Sequence, residues 1–145
     1  LRRQRQMCIR DRAKHVITEN QRVLAARQAL LRDNPVELGI LMDVSHDSLD
    51  EDYEVTSEEL NLLVGLARDC KGTFGSRMTG GGFGGCTISL VRKDKVEEFC
   101  KTVREGYRER TGIDPHIYVV EPEQGAEIFD PTAAPEAAAE QETPQ

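Results

Sequence analysis

A run of glycines is the part of this 145-residue sequence best suited to a chemical role. It reads "TGGGFGG" over residues 79–85, with five glycines in the six positions 80–85. Each glycine costs extra chain entropy to order, so such a density needs a reason. Amides without a Cβ to shield them can approach an anion or another backbone closely. We therefore predict that this loop lies against phosphate groups, or against a second loop that holds them.

Three known glycine motifs fit the stretch poorly. Gly80, Gly82 and Gly85 match the dinucleotide pattern G-x-G-x-x-G, but that pattern follows a strand and opens a helix, whereas a predicted strand follows here. A Walker A loop needs Lys-Ser or Lys-Thr after its last glycine, where this chain has Cys86 and Thr87. A protein-kinase glycine loop opens a domain much longer than the remaining ~60 residues. A hairpin that only lets two elements pack closely stays the alternative.

Other polar residues that suggest catalysis have simpler explanations. Ser45, His46 and Asp47 have the residue types of a catalytic triad, but neighbours on a helix point about 100° apart and cannot form a relay. We expect them on a partly exposed helix face. The acidic stretch 50–52 is typical of a solvated loop before a helix. Arg77 is suited equally to a phosphate contact and to pairing with a carboxylate, and both stay open.

Apolar periodicity predicts three helices before the glycines. The first spans 15–32 and stops at Asn34-Pro35, and the second spans about 35–48. A third is predicted to begin at a capping box of Thr56 and Glu59 and to end near Gly72. The stripe of the first helix consists of Val16, Ile17, Val23, Leu24, Leu30 and Leu31, and the second is expected to turn Leu38, Leu41 and Val44 inward.

The chain then changes to β-rich patterns. The alternating stretch 86–91 predicts a strand after the glycine loop, and Ser76 and Arg77 belong to the strand leading into it. A helix with apolar spacing from Val96 to Tyr107 follows and ends at Gly112. The stretch "HIYVV" (116–120) predicts a further strand. Helices followed by strands and one more helix describe an α+β domain.

Charge and composition exclude several classes of partner. A formal net charge of −7 argues against nucleic acid, which requires a basic surface. No run approaches the ~20 apolar residues of a membrane span, and no signal peptide is visible. We therefore expect a cytoplasmic protein with no membrane partner. The four cysteines contain no C-x-x-C pair and are expected to be reduced and mostly buried. Neither His15 nor His116 has a partner pattern for a metal.

Both ends of the chain differ from the middle. Residues 1–12 carry five arginines and no apolar pattern, and "MCIRDR" (7–12) resembles a translated sequencing-adapter remnant. We expect 1–12 to be a non-native or disordered leader; a basic binding arm is the alternative. Residues 130–145 are rich in Ala, Pro and Glu, so we expect a disordered acidic tail. The folded domain is thus predicted to span 13–129.

Several stretches together resemble the GHMP kinases, in the form carried by galactokinases. "GSRMTGGGFGGCTISLV" (75–91) resembles the third conserved motif of that family, and "MDVSHDSLDEDYEVTSEELNLLVGLA" (42–67) is similar to the segment just upstream. "AKHVITEN" (13–20) and "GIDPHIYVVEPEQGAEI" (112–128) extend the resemblance to both ends of the folding part. The sequence is identified as the C-terminal part of such a kinase.

The resemblance implies the C-terminal domain fold of GHMP kinases, a ferredoxin-like antiparallel sheet covered by helices. It implies transfer of the ATP γ-phosphoryl to the anomeric hydroxyl of α-D-galactose, with Mg²⁺. In this family the third-motif loop lies beside the phosphate loop and helps to shape the nucleotide site. Tyr53, in the family's D-Y-E-V segment, is expected to pack rather than to touch sugar. The nucleotide-site residues implied here are Thr79, Gly80, Gly81, Gly82, Phe83, Gly84 and Gly85, with Ser76 and Arg77 as further candidates.

The residues that carry out catalysis in the family do not occur in this sequence. Its sugar-binding segment G-R-x-N-x-I-G-E-H, its phosphate loop P-x-G-x-G-L-S-S-S-A, its acidic magnesium ligand and its aspartate base have no counterparts here. The resemblance therefore assigns no catalytic residue and no metal ligand, and implies a missing N-terminal kinase domain as partner. Alternatives are a GHMP sugar kinase of other specificity and a non-catalytic binding or sensor domain.

Overall fold

The computed structural model describes residues 2–122, with side chains from Cys8 onward. The α+β class is confirmed, with four helices and a two-stranded antiparallel sheet in that part of the chain. None of the helices within 2–122 has the length and apolar character needed to cross a membrane. In chain order the elements are α1 (Arg2–Leu31), α2 (Pro35–Glu51), α3 (Glu58–Asp69), β1 (Thr73–Thr79), β2 (Cys86–Val91), a 3-10 turn (Lys93–Lys95) and α4 (Val96–Thr111).

Local signals place the helix ends close to where they were predicted. Asn34 caps α2 by accepting a hydrogen bond from the Glu37 amide at 3.1 Å. Gly112 ends α4 in the left-handed conformation, with φ 73°. The cap of α3 differs by one residue, because Ser57 rather than Thr56 accepts from the first turn.

The two ends of the described chain depart from prediction. Helix α1 begins at Arg2, so residues 2–12 continue the helix, although the sequence predicted no ordered structure before residue 13. Their assignment as non-native stays a prediction. The predicted strand 116–120 is wrong for the described chain, since it pairs with neither β1 nor β2 and Tyr118 is 81% exposed. Residues 123–129 and the predicted acidic tail, 130–145, lie outside the described residues.

Helix α2 and strand β1 pack backbone against backbone at two glycines. Gly39 on α2 and Gly75 on β1 are both buried. A Cβ on Gly39 would overlap the carbonyl group of Phe74, and a Cβ on Gly75 would overlap the carbonyl of Gly39. Only hydrogen fits at either position, so these two glycines let the helix approach the strand closely.

Polar side chains of α2 take the place of a neighbouring strand along one edge of β1. The Ser76 amide donates to Asp43 Oδ1 at 2.8 Å, and the Met78 amide donates to His46 Nδ1 at 3.1 Å. Arg68 of α3 donates from Nε to the same Asp43 oxygen at 2.8 Å. A buried amide without an acceptor is costly, so these contacts allow the edge to lie under a helix instead of pairing with a further strand.

The apolar core is small and lies where α2, α3 and β1 meet. Leu49, Leu60 and Met78 form a buried cluster, and Tyr53 and Val55 pack against it. Tyr53 also packs its ring on His15, with ring centroids 4.8 Å apart. The expectation that Tyr53 packs therefore agrees with its surroundings.

The predicted apolar stripe of α1 faces outward. All six of its residues are more than half exposed, whereas α1 buries His15 and Ala29. On α2, Val44 is 46% exposed, so the prediction that it points inward is wrong. The face that α2 buries is largely small and polar and consists of Gly39, Ser45, His46, Ser48 and Leu49. Periodicity therefore located the apolar stripe of α1, which is exposed in the described chain, but it did not predict the small and polar face that α2 buries.

We predict that Gly39→Ala destabilises the fold, because its methyl group would overlap the β1 backbone. The expected loss is more than about 2 kcal/mol in the free energy of unfolding, measured by urea titration. Gly65→Ala on α3 is the matched control, since its Cβ would have no neighbour within 4 Å. The control should be neutral or stabilising by up to about 1 kcal/mol. Equal effects of the two substitutions would contradict the close contact.

The hydrogen bond to His46 predicts a pH-dependent stability. Burial lowers the pKa of His46 below 6.5, and the nearby Arg68 lowers it further. A folded-state pKa below the unfolded value means that neutral imidazole stabilises the fold above about pH 6.5, and that this contribution is lost as pH falls. We expect the melting temperature to drop between pH 7 and 5, and to drop less in His46→Gln. His15, whose pKa is also lowered by burial, should contribute to the slope that remains.

Candidate functional site

The glycine loop connects β1 to β2 in a conformation that few other residues could adopt. Thr79 pairs with Cys86 in the sheet, so residues 80–85 form the whole connection. Its backbone takes positive φ at five of its six positions, which are Gly80 (83°), Gly82 (82°), Phe83 (57°), Gly84 (119°) and Gly85 (104°). Glycine has no Cβ penalty in that region, so the glycine density of the sequence is explained by the backbone path.

The loop is fastened to the segment that follows α2. The Phe83 amide donates to the Val55 carbonyl oxygen at 2.8 Å. Gly82 lies so close to that carbonyl that a Cβ there would overlap it. Val55 is itself held by its amide, which donates to the Leu49 carbonyl at 3.1 Å. The middle of the loop is thus held at a defined position above the core.

Most of the loop amides remain available to a ligand. Apart from Phe83, no amide of residues 80–85 donates to an acceptor in the described part of the chain. At Gly80, Gly81, Gly84 and Gly85 an added Cβ would meet nothing within 4 Å, so open space adjoins the backbone. Successive free amides in a positive-φ loop suit an anion such as a phosphate oxygen. The predicted site residues Thr79 to Gly85 are contiguous in this loop, and their place at a nucleotide site stays a prediction.

Ser76 and Arg77 are engaged inside the protein. Ser76 is fully buried, and its hydroxyl lies 2.8 Å from the hydroxyl of Ser89. Arg77 Nη1 donates to Glu19 Oε1 at 3.1 Å, which is the carboxylate pairing that the sequence left open. Neither side chain extends onto the loop surface, and a phosphate role for them stays a prediction.

Glu19 collects polar groups from three elements. Ser45 of α2 donates to it at 2.6 Å and Arg22 of α1 donates at 2.7 Å, besides Arg77 of β1. Burial alone would raise the pKa of Glu19, but the hydrogen bonds from Ser45 and Arg22 outweigh it and lower that pKa. The ionised carboxylate therefore joins α1 to the strand that leads into the loop.

The remaining candidates do not form a reactive group. Ser45 binds Glu19, His46 accepts from β1, and Asp47 pairs with Arg68 at 2.9 Å, so the three point to different partners. Ser45 and His46 are buried, not partly exposed as expected. Asp50 accepts hydrogen bonds from neighbouring polar side chains. Among the described side chains, no three His, Cys, Asp or Glu residues come together as a metal site requires.

The cysteines differ from expectation in their exposure. All four are free thiols. Cys8 and Cys86 are exposed, and Cys70 and Cys100 are partly buried, so the prediction of mostly buried thiols is wrong. Burial raises the pKa of the Cys70 thiol, which disfavours the reactive thiolate.

Two parts of the site were missed by sequence reasoning. The Val55 carbonyl that holds the loop is a backbone group, and every residue type carries one. The Glu19–Arg77 pair joins residues 58 positions apart, and no local pattern connects them. A signal for either would have required knowing which elements pack together.

Comparison with known proteins identifies the class to which this fold and loop belong. The family described as GHMP kinases C terminal matches residues 26–109. The chain belongs to this family. Its sequence is 50% identical to the galactokinase of Streptococcus thermophilus over 119 residues, covering 82% of this chain and 31% of that protein. It is 49% identical to the galactokinase of Clostridium acetobutylicum over 115 residues, covering 79% of this chain and 30% of that protein.

Solved structures agree with the sequence comparison. The Lactococcus lactis galactokinase, crystallised in complex with galactose, superposes with a TM-score of 0.69 at 44% identity, covering 72% of this chain and 27% of that chain. The mevalonate kinase of L. major, in complex with R-mevalonate, gives a TM-score of 0.56 at 26% identity, covering 63% and 28%. The resemblance to the C-terminal part of galactokinases is confirmed, and the chain spans about 30% of the length of these relatives.

We predict that Gly82→Val displaces the loop, because the added side chain would overlap Val55 and would require a strained φ of 82°. The Phe83 amide should then lose its hydrogen bond and exchange with solvent faster, which hydrogen exchange detected by NMR would measure. Gly81→Ala is the control, since Gly81 lacks a positive φ and its Cβ would meet nothing. Unchanged exchange at Phe83 in Gly82→Val would show that Val55 does not hold the loop.

Proposed function

We propose that this chain is the C-terminal part of an ATP-dependent galactokinase, and that residues 79–85 lie against the nucleotide phosphates or the loop that holds them. The observation that carries the proposal is the row of free amides in a loop fixed on Val55. The identity of about 50% to galactokinases, over 82% and 79% of this chain, supports it.

The chemistry of this part of the protein is positioning. The free loop amides donate hydrogen bonds to phosphate oxygens, or to the second loop that binds them, and the Val55 contact holds those amides in place before substrate arrives. Phosphoryl transfer depends mostly on such placement and on neutralisation of charge. Arg77, on the strand that leads into the loop, is paired with Glu19 and is therefore not free to neutralise a phosphate. The sugar-binding segment, the phosphate loop and the aspartate base therefore belong to the upstream part of the protein.

The described residues suit the phosphates of ATP but do not provide ligands for Mg²⁺. The free amides fit a phosphate group. With Mg²⁺ bound by ligands elsewhere in the protein, the ion would neutralise charge on the transferring phosphoryl group. The side chains described in this chain form no set of ligands for it.

The upstream part also completes the fold in this proposal. The segment 116–120 is β-rich in sequence, yet in the described chain it pairs with no strand. The α1 stripe is exposed along its length. An upstream strand beside 116–120 and upstream helices on α1 would produce the ferredoxin-like sheet covered by helices that the family resemblance implies.

A second candidate is a GHMP sugar kinase of other specificity. The likeness to a mevalonate kinase shows that this fold is shared by kinases with different acceptors. The non-catalytic binding or sensor domain is the third reading. All three place the same loop at the same site, so they differ in activity and acceptor.

A chimera tests the proposal. In this chimera, the 119-residue region of the Streptococcus thermophilus galactokinase that matches this chain is replaced by the matching region of this chain. We expect ATP- and Mg²⁺-dependent phosphorylation of galactose, because the graft supplies the loop and the host supplies the catalytic residues. Gly82→Val in the chimera should lower kcat and raise the KM for ATP, together by about 10²-fold in kcat/KM, with galactose affinity kept.

Two controls accompany it. The host truncated before the graft and this chain by itself should each be inactive. Gly65→Ala in the chimera should keep activity, because Gly65 lies on α3 outside the loop and its Cβ would meet nothing within 4 Å. A well-folded chimera that phosphorylates no sugar would contradict the kinase proposal. Near-normal turnover and ATP affinity in Gly82→Val would remove the loop from the nucleotide site.

A further inference from the structure

Phe83 is the only residue between positions 80 and 85 that carries a side chain, and its backbone is left-handed with φ 57°. A bulky residue in this region is strained, whereas glycine would follow the same path without strain. Glycine occupies all five other positions of the loop. The phenylalanine is therefore not required by the backbone path, and its ring needs another explanation.

Phe83 has a fixed backbone but a largely exposed side chain. Phe83 is 75% exposed, although its amide is fixed to the Val55 carbonyl at 2.8 Å and the preceding Gly82 is pressed against the same group. Val55 packs on the buried cluster of Leu49, Leu60 and Met78. Because the backbone that carries this large aromatic ring is already held, docking the ring costs little backbone entropy, and exposed aromatic side chains of this kind often dominate interfaces.

The nature of the ring indicates its partner. A phenyl group cannot hydrogen-bond to a phosphate, and the free amides of the glycines already offer that contact. An apolar pocket would suit the ring, and no described residue supplies one. The relatives carry about 70% of their length outside the region matched by this chain, since the match covers 31% and 30% of them. Under the proposed function, part of that length lies next to the loop and can offer the ring a protein surface.

We propose that the Phe83 ring docks into an apolar pocket on the upstream part of the kinase and thereby holds the glycine loop at the interface between the two parts. This inference rests on the proposed function, because its occupant is the remainder of a galactokinase. The strain at Phe83 is retained because the docked ring more than offsets it.

The same substitution should have opposite effects in two contexts. Phe83→Asn removes the ring and places a residue that tolerates the left-handed region. In this chain alone it should raise the melting temperature by about 2 to 4 °C, because strain is relieved. In the chimera described above it should lower the melting temperature by a similar amount, because the docked ring is lost. Phe83→Leu, which keeps an apolar side chain, should lower it less in the chimera.

Asp33→Gly is the matched control. Asp33 also has a left-handed backbone, with φ 51°, but it lies in the exposed turn between α1 and α2. Glycine suits this position after a helix, so the melting temperature should rise in both contexts. Docking is supported if Phe83→Asn shifts the melting temperature in opposite directions in the chain alone and in the chimera, while Asp33→Gly shifts it in the same direction in both. Strain relief by itself would shift it in the same direction for both substitutions.

Any other result of these measurements would contradict a specific part of the proposal. A lower melting temperature for Phe83→Asn in the chain alone would show that Phe83 is not strained. A rise in both contexts would show that the ring docks nowhere on the protein; if the KM for ATP then also increased, its partner would be the nucleotide. A folded chimera without kinase activity would overturn the proposed function, while its melting temperatures would still decide the docking. A chimera that does not melt cooperatively would overturn both.

Discussion

The backbone contact between Gly39 and Gly75 sets the geometry on which the rest of the site depends. Because no side chain separates α2 from β1, Asp43 and His46 can reach the strand amides and accept their hydrogen bonds. Strand β1 runs directly into the glycine loop, and α2 leads into Val55, which holds the middle of that loop. The strand thus positions the glycine loop, and the helix positions the Val55 carbonyl that holds it.

The site combines rigidity with a lack of charge. Its loop is fixed at Val55 and presents free amides, while Arg77, on the strand that leads into the loop, is paired with Glu19. Dipoles held in place before the reaction stabilise a phosphate without reorganisation. In the proposed function, neutralisation of the triphosphate requires cations other than Arg77, which is paired with Glu19. This division suits a chain that spans about 30% of its relatives' length.

The apolar surface is likewise divided between a small buried core and a large exposed part. The six residues of the α1 stripe and the ring of Phe83 are exposed, while the buried contacts between α1 and α2 are polar or small. Exposed apolar area of this extent is typical of an interaction surface. The core around Leu60 and Met78 is correspondingly small. This exposure supports the proposed contact with further protein.

Features that depend on a few neighbouring residues were determined by the sequence alone. They include the four helices, strand β2, the stop at Gly112 and the unusual backbone of the loop, because capping, alternation and glycine content act within one or two turns. Only the tertiary structure decided which face of α2 is buried, that Arg77 pairs with Glu19 rather than facing outward, and that Val55 holds the loop. Those outcomes depend on which elements pack together, and packing joins residues that no local pattern links. The segment 116–120 shows the limit most clearly, since a β-rich stretch becomes a strand only beside a partner that satisfies its backbone.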